Sequence, residues 1–117
     1  MQLESDIYMK KIINKFGTIF YYNDNGEYHR ENGPAVEYKN DDKAWYKNGL
    51  LHRENGPAVE YRNGTKYWYK NGKLHREDAP AVEHANGDKE YWYNGIYYPE
   101  IKTDEEWKRI VKLMVFI

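Results

Sequence analysis

The chain has 117 residues, enough for one small domain with a modest core. Lys and Arg total 18 against 19 Asp and Glu, a net charge of -1 that leaves no electrostatic footprint for nucleic acid. Cysteine is absent, which excludes disulfides and thiolate metal sites, and no apolar run reaches membrane-spanning length. Thirteen Tyr and four Trp in a hydrophilic chain favour strands and half-buried surfaces over a thick helical core.

Residues 1–11 read either as a short helix capped by Ser5 or Asp6 or as an irregular lead-in. The acids in MQLESDIYMKKII, and its lack of a long apolar stretch, do not fit a signal peptide, so a cytoplasmic location is expected. From Ile12 a degraded copy of a repeat begins, with Phe16-Gly17-Thr18 and Phe20-Tyr21-Tyr22 standing for the later Asn63-Gly64-Thr65 and Tyr67-Trp68-Tyr69. The repeat is plain at Trp45–Glu60, WYKNGLLHRENGPAVE, which returns 23 residues later at Trp68–Glu83 as WYKNGKLHREDAPAVE. HRENGPAVEY at His29–Tyr38 begins another copy, and Asn-Gly recurs at 25, 48, 71 and 94. A short fixed period marks an array in which one supersecondary unit stacks on the next.

Asn-Gly is a strong signal for a two-residue type I′ hairpin, because both central residues need positive φ. Read so, Asn63-Gly64 sets Glu60 opposite Tyr67, Val59 opposite Trp68 and Ala58 opposite Tyr69. Asn71-Gly72 sets Tyr69 opposite Leu74 and Trp68 opposite His75, and Val36 faces Trp45 across Asn40-Asp41 one copy earlier. Directly opposed residues share a face, so Val59, Trp68 and His75 form one row and Ala58, Tyr69 and Leu74 the other. Trp45, Trp68 and Trp92 are then expected to fill a thin core with Val36, Val59 and Val82. The last copy needs a bulge near Asp88–Tyr91 to bring Trp92 into line.

HRENGP at 29–34 and 52–57 and HREDAP at 75–80 link one hairpin to the next, with Gly33 and Gly56 giving backbone freedom. After Pro99, Thr103 and Glu106 form a capping box, and Trp107, Ile110, Val111 and Met114 fall at helical spacing. A helix over 104–115 is expected to cover the open end of the sheet. The predicted fold is therefore mainly all-β. An array of antiparallel β-hairpin repeats over 12–98, about four copies with the first degenerate, forms an elongated twisted sheet. A lead-in (1–11) precedes it and a C-terminal capping helix segment (99–117) follows.

The rhythm of GPAVEYRNGTKYWYKNGKLHRED at Gly56–Asp78 resembles a MORN-like variant repeat of giant-virus and bacteriophage proteins, often closed by an acidic turn and a short Trp-containing helix. Residues 29–98 and 99–115 carry the resemblance; Ala79 in place of Gly and His84 in place of Tyr depart from it. It implies stacked hairpins and a binding role, lends no catalytic residue, and its viral setting implies an inhibitor or decoy acting on a host defence protein. No enzyme activity is expected.

Three His-Arg-Glu triplets invite a metal reading, but copies two strands apart put equivalent histidines about 9–10 Å apart. Metal–nitrogen bonds of about 2.0–2.1 Å cannot span that, so a structural ladder is expected, with no metal and no cofactor. Tyr46, Tyr69 and Tyr93 are expected to form a face for a protein partner, since tyrosine offers large contact area at low entropic cost. Asp41, Asp42, Glu54 and Glu77 would complement a basic groove, including one in a host protein that normally holds nucleic acid. The rival reading is a small-ligand or glycan module built on the same aromatic hairpins. Direct nucleic-acid or membrane binding would want a basic cluster, and here the cations are interleaved with acids.

Overall fold

The computed structural model describes residues 10–114. Two kinds of tight turn alternate along the chain and set the architecture. Asn48-Gly49, Asn71-Gly72 and Asn94-Gly95 have positive φ at both residues (49 and 82°, 50 and 81°, 47 and 82°), as a type I′ turn requires. They close β5 (Tyr46–Lys47) on β6 (Leu50–Leu51), β9 (Tyr69–Lys70) on β10 (Lys73–Leu74), and β13 (Trp92–Tyr93) on β14 (Ile96–Tyr97). Tyr69 faces Leu74 as predicted.

The remaining hairpins turn differently. Tyr61 N donates to Thr65 O and Gly64 N to Tyr61 O, both at 2.9 Å, and only Gly64 is left-handed (φ 98°). This is a three-residue loop with a glycine bulge. Asn63 Oδ1 accepts the Thr65 amide at 2.9 Å, so the asparagine is satisfied without the positive φ that a two-residue turn demands. The predicted register across this loop is therefore wrong by one residue. Val59 faces Tyr67, and Glu60 faces Lys66; one copy earlier Val36 faces Ala44, not Trp45.

These hairpins form an eight-stranded antiparallel sheet: β1 (Lys10–Ile13), β2 (Ile19–Tyr22), β3 (Val36–Glu37), β4 (Lys43–Ala44), β7 (Val59–Glu60), β8 (Lys66–Tyr67), β11 (Val82–Glu83) and β12 (Lys89–Glu90). Its pairings line up Phe20, Val36, Ala44, Val59, Tyr67 and Val82 on one face. Glu37, Lys43, Glu60, Lys66, Glu83 and Lys89 alternate in sign across the other. Opposite charges facing across strands contribute about 0.2–1 kcal/mol each. They also explain why this face needs no covering layer.

Main-sheet strands are short because the chain turns a corner after each hairpin. Trp68 N donates to Ala81 O at 2.7 Å, and Trp68 O accepts His75 N at 3.0 Å, so this residue belongs half to the sheet and half to the small hairpin. Ala35, Ala58 and Ala81 sit where backbone from the neighbouring strand comes within 2.7–2.9 Å, and all three are 0% exposed. These alanines, with Val36 and Val82, are the innermost row; Val59, Trp45 and Trp68 are only half-buried. The expected Trp–Val core is thus corrected: Val36 and Val82 are buried beside the alanines, while the indoles of Trp45, Trp68 and Trp92 stay half-buried.

The last copy keeps the period of 23 and needs no bulge. Glu90 faces Val82, and Tyr98 N donates to Tyr91 O at 2.9 Å, as His75 N does to Trp68 O. Tyr91, not Trp92, occupies the corner. The irregular copy is the first, where Gly26 N donates to Asn23 O (3.1 Å) in a loop one residue longer than Asn48-Gly49.

α1 (Asp104–Met114) begins at the predicted capping box: Glu106 N donates to Thr103 Oγ1 at 3.2 Å and Thr103 N to Glu106 Oε1 at 3.1 Å. Its Trp107 and Val111 pack on Tyr91 and Ile101 at the end of the array. Of the predicted lead-in, residues 1–9 lie outside the described residues and Lys10 and Lys11 belong to β1; Val115 of the predicted helix also lies outside. The whole measures 44 × 33 × 24 Å. Among the described residues no helix is long and apolar enough to cross a membrane.

Candidate binding face

Each His-Arg-Glu triplet ties one copy to the next. His52 Nδ1 accepts the Asn71 amide at 2.9 Å, and His29 and His75 do the same for Asn48 and Asn94. Because Nδ1 accepts, the proton of the neutral ring belongs on Nε2, which donates to Glu54 at 3.2 Å and, in the other copies, to Glu31 and Glu77. That bond from His52 holds the Glu54 carboxyl below the usual carboxylate range. Arg53 lies 3.8 Å over the Trp45 ring and donates to Pro57 O and Glu60 at 3.1 and 2.7 Å. Arg76 repeats this on Trp68, and Arg30 on Tyr21. A Cβ on Gly33 or Gly56 would stand 3.0 or 3.1 Å from the guanidinium carbon, an approach that the flexible arginine accommodates in the third copy, where Ala79 stands and Arg76 keeps the same partners. Among the described residues no group of three His, Asp or Glu side chains is arranged to hold a metal ion.

The angle between the main sheet and the small hairpins is lined with aromatic rings. Phe20, Tyr22, Tyr28 and Tyr46 are linked by centroid distances of 5.1–5.8 Å. Farther along, Tyr61, Tyr67 and Tyr69 are linked at 5.7 and 6.4 Å. Burial, with Tyr38, Tyr28, Tyr69 and Tyr61 around it, raises the Tyr46 phenol above its ordinary 10.0. Burial likewise raises Tyr69, with Tyr67 and Tyr61 nearby. The rings therefore make two half-open clusters on successive copies, one around Tyr28 and Tyr46 and one around Tyr67 and Tyr69. A notch of about 230 Å³ continues the second between Tyr67, Tyr69, Leu74, Val82, His84 and Glu90.

Tyr46 and Tyr69 lie together on this face. Tyr93 does not: it occupies the place of Lys47 and Lys70, on the other side of its hairpin, with its ring 4.7 Å from His75. Trp92 takes the position equivalent to Tyr69, stacking on Tyr97 at 5.0 Å and donating to Glu90 at 2.9 Å. Counting strictly by 23 from Tyr46 and Tyr69 reaches Trp92, so this member was legible. The acids divide between two edges. Asp41 is the left-handed residue of a main-sheet turn (φ 76°), and Asp42 accepts the Arg62 amide at 2.8 Å. Glu54 and Glu77 lie on the connections, at the strands' other end.

Raised phenols give a pH prediction. For groups whose folded pKa is raised, the stability contribution is complete below the ordinary value and is lost as pH rises through the raised one. Tyr46, Tyr69 and the strongly raised Tyr91, which is buried and donates to Asp104, are expected to ionise after the exposed phenols. Ultraviolet titration should resolve this late class, and melting temperature should fall only above pH 10.0. A single titration step with no loss of stability there would contradict the buried placement.

No family model, curated protein or solved structure matches this chain. The fold is an array of β-hairpin repeats with a terminal helix.

Proposed function

We propose that this chain is a non-catalytic protein-binding module whose contact surface is the aromatic face around Tyr28, Tyr46, Tyr67 and Tyr69. The observation that carries the reading is the pair of half-open tyrosine clusters that successive copies present, Tyr28 with Tyr46 and Tyr67 with Tyr69. Rigid tyrosines that are half-supported by neighbours bind with little further entropy loss, and such rings dominate interfaces. The acids at either edge, Asp41 and Asp42 on one side and Glu54 and Glu77 on the other, suit a partner with basic margins. In the setting that the sequence resemblance implies, that partner is a host defence protein, and the chain acts as an inhibitor or decoy in the cytoplasm.

The test is affinity capture from host lysate, followed by titration of the captured protein against the parent and a Tyr46→Ser/Tyr69→Ser variant. Loss of two central aromatic anchors is expected to weaken binding by about 2 kcal/mol or more, while thermal melts report a folded variant. Unchanged affinity in a folded variant moves the contact surface to the HRENGP connections. The notch beside Tyr67 and Tyr69 favours a second reading, a small-ligand or glycan site. A sugar panel that shifts the Tyr67 and Tyr69 signals in nuclear magnetic resonance, with no protein captured, would select it.

A further inference from the structure

Eight of the nine glycines follow an asparagine, and Asn-Gly is the dipeptide most open to one spontaneous reaction. The glycine nitrogen, having lost its proton, attacks the asparagine side-chain carbonyl carbon. A five-membered succinimide forms and ammonia leaves with the side-chain nitrogen. Water then opens the ring to aspartate or isoaspartate. The balance is asparagine plus water giving aspartate plus ammonia, with no other reagent. The attacking nitrogen has to be released from any hydrogen bond it makes, so a glycine amide locked in a tight turn reacts only when that turn opens.

The fold divides the eight sites into two groups. Six glycine amides donate to backbone carbonyls at 2.8–3.1 Å: Gly26, Gly49, Gly64, Gly72, Gly87 and Gly95. At three of these the asparagine Oδ1 is engaged as well, Asn48 with Asn23, Asn63 with Thr65 and Asn86 with Asp88. Gly33 and Gly56 are different: among the described residues neither amide has an acceptor, and the exposed Asn32 and Asn55 side chains make no hydrogen bond.

We propose that Asn32 and Asn55 are the modification sites of this chain, converted to aspartate or isoaspartate in the folded protein while the six turn asparagines persist. The third copy shows that the aspartate product fits. Asp78 stands at the equivalent position, followed by Ala79 in place of glycine, and its Oδ1 lies 3.4 Å from Arg76 Nε. Conversion of Asn55 would recreate this HRED connection beside Arg53. Asn32 and Asn55 line one cleft of about 640 Å³ with Glu31 and Glu54. Modification therefore makes the surface between two connections more acidic, in a cleft that Tyr46 also lines.

The test is incubation of the folded chain at mildly alkaline pH, followed by peptide mapping with mass spectrometry that separates aspartate from isoaspartate. Asn32 and Asn55 are expected to convert about fivefold to tenfold faster than the other six, the factor that one retained amide–carbonyl hydrogen bond is worth. In urea all eight should converge. Turn sites converting as fast as Asn32 and Asn55 in the folded chain would overturn the proposal. An undiminished lead of Asn32 and Asn55 in urea would assign the preference to local sequence and overturn the structural basis. Gly33→Ala, patterned on Ala79, should slow conversion at Asn32 and leave Asn55 unchanged; equal rates at Asn32 in parent and variant would also count against it.

Discussion

Trp107→Ala is expected to lower stability by about 3–5 kcal/mol, the cost of emptying a fully buried indole site. Trp107 is 0% exposed, its ring centroid lies 5.5 Å from Tyr91 and 5.3 Å from Tyr98, and its Nε1 donates to Arg76 O at 2.8 Å. Trp107→Phe keeps a ring but drops that bond and should cost clearly less, since a net hydrogen bond is worth about 0.5–1.5 kcal/mol. Urea melts give the stabilities, and size-exclusion chromatography reports whether the exposed end associates. An alanine variant that melts with the parent and stays monomeric would show that the helix caps nothing.

The size of this effect follows from how a repeat ends. Inside the array each corner aromatic is covered by the arginine of its own connection, as Trp68 is by Arg76. The histidine of each triplet, His29, His52 and His75, holds the turn of the following copy. The last copy has no successor, and the sequence changes accordingly: Tyr98 stands 23 residues after His75, and Pro99 stands 23 after Arg76. With no arginine to cover Tyr91, Trp107 does so. Tyr91 in turn donates to Asp104 at 2.7 Å, at the start of the helix. The helix closes the array by replacing one side chain, not by pairing with the edge strand.

The period, the hairpins, the type I′ turns and the capping box were all legible, because each is a local signal with one dominant physical cause. The register of the main-sheet hairpins was not. Asn63-Gly64 and Asn71-Gly72 are the same dipeptide, and what separates them lies outside it. Thr65 offers its amide to Asn63 Oδ1, whereas the Asn71 amide is taken by His52 of the previous copy. The latter contact spans 19 residues, and no turn rule contains it. Misreading that register also misplaced the core, because it paired Ala58 with Tyr69 and hid the alanine row at the corners. Tyr93 differs in its cause. Trp45, Trp68 and Trp92 look like one series, but the period that Asn94-Gly95 keeps puts Trp92 in the place of Tyr69 and Tyr93 on the other side of its hairpin.

The second large effect is expected where copies are joined. His52→Ala and His75→Ala should each lower stability by about 1–3 kcal/mol, because each leaves a turn amide without its acceptor and a gap in a site under 10% exposed. The double variant should lose more than either alone, since the two histidines anchor successive turns and each secures a different neighbouring pair of copies. His52→Asn leaves an oxygen acceptor near the place of Nδ1 and should recover part of the loss; His52→Leu fills the volume without an acceptor and should not. If the histidines serve this purpose, chelator leaves all melting temperatures unchanged and no zinc co-purifies. A parent whose melting temperature falls with chelator, or a leucine variant as stable as the parent, would remove the ladder from the account of what holds the copies in register.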